Sequence, residues 1–506
     1  MQPESDLCST MAINVGSSSI KISVFNRGER VDVNINFIGL QSQLVKLRFS
    51  KGLSIESETY SVTVGDDLLK AAGVIVNKVK DVLESLKWSA PKKIGHRVKF
   101  AGFGPSVQGI TKHQEQILEF NDYLSSRHNS LCLAVIHETK KIFPNAMQLM
   151  VRDQAVNDFS LHAKEKIPFV NSIVRRYGLY SSGYHGLAIK ACLEELKDKY
   201  RILKFTGVIC QIGSGVSVSV VVDGVVKFNT MQFAACDGPI MHNRSGTQPV
   251  GLVLRLLKYG VDAGNLPNLF NRESGIYGLA GLSANSDVTV ENILSDNSLK
   301  SAKDSYLLSI ATELFKAISL FPEVANFVFS GGLATKHKWI GPELLYRAKA
   351  ISRDSSSKLT QQFEKGHVFA NEDQRINVVL VDIDEQNMIN NEMKAYSFKE
   401  RSFNFSAGAC EVPGTSVGFV REGVGSWGAG NICLSLSNSA FSFDTNNLPE
   451  AFIFFGGNRN AFFIRAIFAR ATKVPAIFIE DSEFDARSII NKKIILDTPT
   501  RMAFEL

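Results

Sequence analysis

What this 506-residue chain lacks narrows its possibilities first. Its seven cysteines, Cys8, Cys132, Cys192, Cys210, Cys236, Cys410 and Cys433, are odd in number and far apart, with no Cys-x-x-Cys or His-pair spacing. That pattern argues against a disulfide framework or a zinc module and for reduced thiols in a cytoplasmic protein. No apolar run reaches the length of a membrane span, and Met1-Gln2-Pro3-Glu4-Ser5-Asp6 carries no basic segment leading into an apolar one, so neither membrane insertion nor secretion is expected. The 56 lysines and arginines against 50 acids give a net charge of +6, but the basic residues are scattered. Without a basic stripe, nucleic acid is not an expected partner. Mild positive charge suits a phosphorylated substrate. With 44% hydrophobic residues the chain can bury sizeable cores, and its length suggests roughly three domains.

What is present begins at Met11-Ala12-Ile13-Asn14-Val15-Gly16-Ser17-Ser18-Ser19-Ile20-Lys21. An apolar strand runs into small hydroxyl residues and a lysine, then resumes as Ile22-Ser23-Val24-Phe25. Glycine and serine let the backbone approach an anion, their N–H and O–H groups donate to it, and lysine adds a compact charge. The spacing is not that of a P-loop, and a Ser-rich turn between strands is often only a turn. A second copy of the design shifts the balance: strand Gly207 to Ile212, the tight turn Gly213-Ser214-Gly215, and an alternating return strand Val216 to Val222 before Asp223-Gly224. A third element is the buried strand Asn326-Phe327-Val328-Phe329-Ser330, broken at Gly331-Gly332 where a nucleotide would need close backbone approach.

Together these elements resemble the two phosphate motifs and the adenosine motif of the actin, Hsp70 and sugar-kinase superfamily. Local sequences narrow the resemblance to the acetate kinase family, over roughly residues 11 to 395. They are Ile94-Gly95-His96-Arg97-Val98, Arg127-His128-Asn129, Arg175-Arg176-Tyr177-Gly178, Gly183-Tyr184-His185-Gly186, Met241-His242-Asn243-Arg244-Ser245-Gly246 and Asn271-Arg272-Glu273-Ser274-Gly275-Ile276-Tyr277-Gly278-Leu279-Ala280-Gly281. The resemblance implies an α/β chain with a two-lobed, duplicated ribonuclease-H-like fold of the actin-like ATPase type and an interlobe active-site cleft. The expected division is a tail at 1–10, a first lobe at 11–157 completed by 385–399, a nucleotide-binding second lobe at 158–384, and an extension at 400–506. Helical spacing is expected at Asp66 to Leu86, Ser305 to Phe321 and Glu385 to Tyr396, and a last strand at Ile376 to Asp382.

The activity implied is reversible transfer of the terminal phosphoryl of ATP to a small carboxylate, giving an acyl phosphate. Such chemistry needs positive charge on the phosphoryl group, a metal on the nucleotide and an in-line acceptor. By resemblance, Arg97 and Arg244 bind the carboxylate and the equatorial phosphoryl oxygens, a task suited to a planar guanidinium. His185 matches the histidine that stabilises the transferring group; with Leu179 to Ser182 inserted before Gly183, an alternative alignment places Tyr180 there. His128 is either a ligand or a pin for its loop. Asp153 falls on an aspartate that orients the lysine-side network and the metal waters. Glu385, with Asn14, falls at the magnesium or manganese site, and Mg²⁺ takes few carboxylates directly. Asn14, Ser17, Ser19, Lys21, Gln211, Gly213, Ser214 and Gly215 are expected at the nucleotide phosphates, with Asp287, Gly331 and Gly332 completing the nucleotide site.

The departures bear on substrate. Where the family surrounds the acetate methyl with valine, leucine, phenylalanine and proline, this chain has Lys99, Arg127, Tyr184 and Ala235. An uncompensated charge in an apolar pocket is costly, so the side chains turn to solvent or the acid carries a further polar group. Gln211 and Ser214 replace a histidine and an asparagine of the second hairpin, Thr335 and Lys336 a glutamate and an asparagine after the adenosine glycines, and Asn157 and Thr289 a histidine and an arginine. Three readings stay open: acetate, another acid such as propionate, butyrate or a charged one, and a weakly catalytic binding protein; a pyrophosphate donor is a further variant. A homodimer is possible. Residues 400–506 are phenylalanine-rich, with Ala451 to Phe455 read as a strand, Gly456-Gly457 as a break, Ala461 to Ala471 as a helix and Val474 to Ile479 as a second strand; no chemistry is assigned to them.

Overall fold

The computed structural model describes residues 9–16, 19–36, 43–51, 54–62, 68–101, 106–124, 128–154, 169, 181–282, 288–322, 324–364, 369–371 and 376–396, with the strands of the C-terminal region. The chain separates into two compact units. One comprises Met1–Gly102, Gly109–Val156 and Gly183–Tyr396; the other comprises Phe103–Gln108, Asn157–Ser182 and Ser397–Leu506.

The first unit is built on two sheets. In the first, β1 (Thr10–Val15) is the hub. It pairs antiparallel with β2 (Ser19–Asn26) and parallel with β6 (Lys93–Val98), and β6 pairs parallel with β7 (Met147–Arg152). Antiparallel hairpins extend the other side through β3 (Glu29–Asn36), β4 (Gln43–Lys51) and β5 (Ser54–Val62). Every residue of β1 is buried, as expected for a strand covered on both faces. Met11, Ile13 and Val15 pack with Ile75, Val76 and Val79 of α1 (Leu68–Ser85) and Leu131, Val135 and Ile136 of α2 (His128–Ile142). Helix α1 lies within two residues of the helical spacing read at Asp66 to Leu86, whereas α2 was not read from the sequence.

The second sheet repeats the plan. Strand β8 (Gly207–Ile212) pairs antiparallel with β9 (Val216–Val222), and β9 with β10 (Val225–Asn229). On its other side β8 pairs parallel with β11 (Asn326–Ser330), then β13 (Ile376–Val381), with β12 (Phe369–Asn371) at the edge. Thus β3-β2-β1-β6-β7 and β10-β9-β8-β11-β13 share one arrangement, three antiparallel strands followed by two parallel ones. Alternate residues serve opposite faces. Val208, Cys210 and Ile212 pack with Tyr306, Ile310 and Leu314 of α4 (Lys300–Leu320), whereas Ile209, Val328 and Val379 pack with Ile189, Cys192 and Leu196 of α3 (Gly186–Tyr200).

Helix α5 (Glu385–Ala395) returns the chain to the first sheet. Its entry is fixed by Asp384, which accepts the Asn387 N–H at 3.0 Å, a helix N-cap. Thr10 Oγ1 donates to Asn390 Oδ1 at 2.6 Å. Gly95 of β6 is a close-packing glycine, since a β-carbon there would run into Met393 Sδ. These contacts carry Glu385 to the end of β1.

In the second unit, β16 (Thr415–Glu422), β17 (Asn431–Leu436), β18 (Ala451–Phe455) and β19 (Ala476–Ile479) run parallel to one another. Around them are β14 (Ser402–Asn404), β15 (Gly408–Val412), β20 (Lys493–Asp497) and β21 (Met502–Glu505), in the order β14-β21-β20-β16-β17-β18-β19-β15. The strand at 451–455 is as read from the sequence, and the next begins at 476, two residues later than expected. The Gly456-Gly457 break and the 461–471 helix lie outside the described residues.

Candidate active site

The two hairpins face one cavity of about 520 Å³. In the first, Gly16 N–H donates to Ser19 O at 2.7 Å, closing the turn between Asn14 and its register partner Lys21. In the second, Gly213 N–H donates to Gly215 O at 2.9 Å. Asn14, Gly16, Ser19 and Lys21 line the cavity from the first sheet, and Gln211, Gly213, Ser214 and Gly215 line it from the second. Gly331 and Gly332, at the end of β11, line it too. Gly331 has φ +93°, and a β-carbon there would lie 2.5 Å from the Ile212 carbonyl, so only glycine fits.

At the carboxyl end of β6, Arg97 is the centre of a buried ionic network. Its guanidinium donates to Asp153 Oδ2 at 2.5 Å and to Asn14 Oδ1 at 2.8 Å, and Nη1 lies 3.4 Å from Glu385 Oε2. Asn14 Nδ2 in turn donates to Glu385 Oε2 at 2.6 Å. Burial alone would lower the Arg97 pKa; the Asp153 and Glu385 carboxylates outweigh it and hold the pKa above its ordinary value. Asp153 is fully buried and accepts the Leu187 N–H of α3 at 3.2 Å. Its partner is therefore Arg97 together with a helix N-terminus, a favourable place for a carboxylate.

His185 and Arg244 converge on the second hairpin. A β-carbon on Gly215 would lie 3.0 Å from Arg244 Nη1 and 3.2 Å from His185 Nε2. His185 sits immediately before α3 in a left-handed conformation, φ +62°, which an L-residue adopts only at some cost. Its Nδ1 is 2.9 Å from Ser217 Oγ. Burial first, then the charges of Arg97 and Lys99, lower its pKa to about 3, so the ring is neutral at pH 7. If Ser217 donates to Nδ1, Nε2 carries the proton and faces the cavity as a donor. Arg244 donates to the Ala235 carbonyl at 3.4 Å, and burial lowers its pKa to about 10.

Of the residues expected at the site, Asn14, Ser19, Lys21, Arg97, Lys99, His185, Gln211, Gly213, Ser214, Gly215, Arg244, Gly331, Gly332 and Glu385 line the cavity. Ser17, Arg127, Asp287 and the alternative Tyr180 lie outside the described residues. His128, Tyr184 and Ala235 are buried but are not among the described lining. Tyr184 instead packs its ring 4.9 Å from that of Phe100 and donates its hydroxyl to Phe233 O at 3.2 Å. The two acids expected near a metal are not isolated from each other: both touch Arg97.

His242, Glu291, Leu333, Asp382, Ile383 and Gln386 also line the cavity and were not singled out from the sequence. His242 was within reach, two residues before Arg244 in a quoted motif. Asp382 follows β13, and ligands of α/β sheets gather beyond the carboxyl ends of strands. Glu291 carries no such signal. It caps the cavity where Lys336 Nζ donates to it at 2.8 Å, which lowers its pKa to about 2. Among the described residues no group of three or more His, Cys, Asp or Glu side chains forms a metal cage. The carboxylates of Asp382 and Glu385 with the Asn14 amide fit Mg²⁺ nonetheless, because it keeps most of its waters and takes one or two carboxylates.

A repeated sheet with paired glycine- and serine-rich hairpins on a common cavity is the plan of the actin-like ATPase fold. The comparisons with known proteins narrow this. The model of the acetokinase family matches residues 9–391, and the chain belongs to that family. It is 22% identical over 396 residues to the acetate kinase of Campylobacter lari, covering 74% of this chain and 96% of the relative. Against the acetate kinase of Clostridioides difficile it is 24% identical over 396 residues, covering 75% and 97%. Among solved structures, a propionate kinase from Francisella tularensis superposes with a TM-score of 0.63 at 22% identity, over 76% of this chain and 98% of that one.

Proposed function

We propose that this protein transfers the terminal phosphoryl group of ATP, reversibly, to a small carboxylic acid, giving an acyl phosphate and ADP. The observation that carries the reading is the convergence of Arg97, Arg244 and His185 on a cavity walled by two phosphate hairpins.

An acceptor carboxylate oxygen forms the new bond to phosphorus as the bond to the ADP oxygen breaks, and no covalent enzyme intermediate is needed. Arg97 orients the acceptor, its own direction fixed by Asp153 and Asn14. Arg244 and the Nε2–H of His185 meet the equatorial oxygens beside Gly215, where charge is greatest in the transition state. The backbone N–H groups of the Gly213 to Gly215 turn, with Ser19 and Lys21, hold the donor phosphates. When bound, Mg²⁺ or Mn²⁺ neutralises the nucleotide phosphates; Glu385, Asp382 and Asn14 would hold it through its waters. The glycines at 331 and 332 let the nucleoside approach the backbone.

A hydroxylamine trap tests the reading. Purified protein with magnesium-ATP and a panel of carboxylic acids yields a hydroxamate, and Arg244→Ala removes it. Nucleotide binding with no hydroxamate from any acid would make the cleft a binding site rather than a catalytic one.

A further inference from the structure

One cation of the cavity lining, Lys99, makes no direct hydrogen bond or ion pair to a described residue. Arg97 and Lys99 are two residues apart at the end of β6, and both line the cavity while Val98 between them turns into the core. Asp153 and Glu385 are already engaged by Arg97. Lys99 is 9% exposed, and no hydrogen bond or ion pair of its ammonium to any described residue is present. Burial first, then the cations Arg97 and Arg244, hold its pKa well below the ordinary lysine value, against the opposing pull of the Asp153 and Glu385 carboxylates. A buried ammonium with no direct hydrogen-bond or ion-pair partner among the described residues is costly. The transferring phosphoryl group answers Arg244 and His185, and the reacting carboxylate answers Arg97, which leaves Lys99 over.

We infer that the acceptor is a short acid bearing a second anionic group, a dicarboxylate in its simplest form, and that Lys99 binds this second group. The inference rests on the carboxylate-kinase reading above and names its substrate class. An acid with a methyl in that place would leave the ammonium desolvated and unpaired. Sites built around a buried polar group reject analogues lacking its partner far more strongly than apolar pockets reject a missing methylene. Lys99 is thus a specificity-determining residue.

Matched acids differing only by carboxylate for methyl test this: malonate against propionate, and succinate against butyrate, with 3-sulfopropanoate to separate charge from carboxylate shape. Full-length wild type, Lys99→Met and Lys99→Arg are assayed by hydroxamate formation with magnesium-ATP. The expected result is a kcat/KM for a dicarboxylate at least about tenfold above its matched monocarboxylate. That ratio collapses in Lys99→Met and is largely kept in Lys99→Arg. Turnover of 3-sulfopropanoate alongside succinate supports recognition of charge, and succinate alone supports recognition of a carboxylate. Equal turnover of matched acids by wild type overturns the inference while leaving the kinase reading intact. So does a Lys99→Met variant that slows both members of a pair alike, which would put Lys99 on the phosphoryl group. Where Lys99→Met fails to fold, the wild-type ratio decides alone. Absence of product from every acid overturns the kinase reading and this inference with it.

Discussion

In the first sheet the hairpin between β1 and β2 meets the cavity with side chains: Asn14, Ser19 and Lys21 all line it. In the second sheet the corresponding hairpin meets it with Gln211 and, at the turn between β8 and β9, with Gly213 and Gly215 around a single serine. One strand plan thus presents two kinds of hairpin to the cavity. A lysine-bearing hairpin brings its own charge. A glycine turn brings N–H groups and leaves room for charge from elsewhere, and Arg244 and His185 take that room. The difference extends to their ionic surroundings. Arg97, beside the first hairpin, is paired with Asp153; the side chain of Arg244, beside the second, hydrogen-bonds only a carbonyl and the Met241 sulfur among the described residues.

The two arginines should therefore break in different ways. Arg244→Ala should lower kcat for acyl-phosphate formation by about 10³-fold, as expected for losing a charge that acts on the transition state, with little loss of urea resistance. Arg97→Ala should also abolish activity, but it strands Asp153 as a buried unpaired carboxylate and should cost about 3–5 kcal/mol of stability. Equal stability of the two variants by urea titration would erase the distinction.

The glycines sharpen it next. Gly215→Val drives a side chain into Arg244 and His185 and should cost about 10²-fold in kcat/KM through misplacement alone. Gly16→Ala meets Ser19, its carbonyl at 3.1 Å and its hydroxyl at 3.5 Å, and a few-fold loss is expected. Kinetics of the pair measure how much more the second hairpin depends on open space. A smaller effect is expected of Ser217→Ala, which frees the His185 tautomer: roughly a tenfold fall in kcat with KM little changed.

Acid is a probe that changes no residue. His96, His185 and His242 are held neutral by burial, with pKa values lowered to about 4, 3 and 4. The unfolded chain takes up their protons near the ordinary value of 6.5, while the native chain does so only far below. Stability is therefore intact above pH 6.5 and falls as pH drops toward 4, by about 1.4 kcal/mol per pH unit for each histidine. Urea midpoints between pH 7 and pH 5 would show this slope. A flat profile would mean that these rings are not buried neutral.

Much of the plan was legible because its signals are local. The Gly213 to Gly215 turn, the Gly331-Gly332 break and the Asn14 to Lys21 stretch each combine a strand pattern with residues that only a close approach requires. The arginines and His185 were legible through resemblance, not through spacing. Glu291 was not, because a surface glutamate near a helix start looks like any other until Lys336, 45 residues later, is folded against it. The Asn14 to Glu385 hydrogen bond spans 371 residues, and only the resemblance, which set both at the metal site, linked the two ends. Tyr184 shows the reverse limit: its neighbour His185 faces the cavity, but at the turn before α3 its own ring turns to Phe100 and the core.

The central claim is that both hairpins serve one phosphoryl transfer to carboxylate oxygen. Phosphorus NMR of the protein with magnesium-ATP and the best acid of the panel tests it most directly. The account predicts a growing acyl-phosphate resonance matched one for one by ADP, absent with Arg244→Ala. Release of inorganic phosphate from ATP with no acyl-phosphate resonance, unchanged by adding any acid, would contradict it.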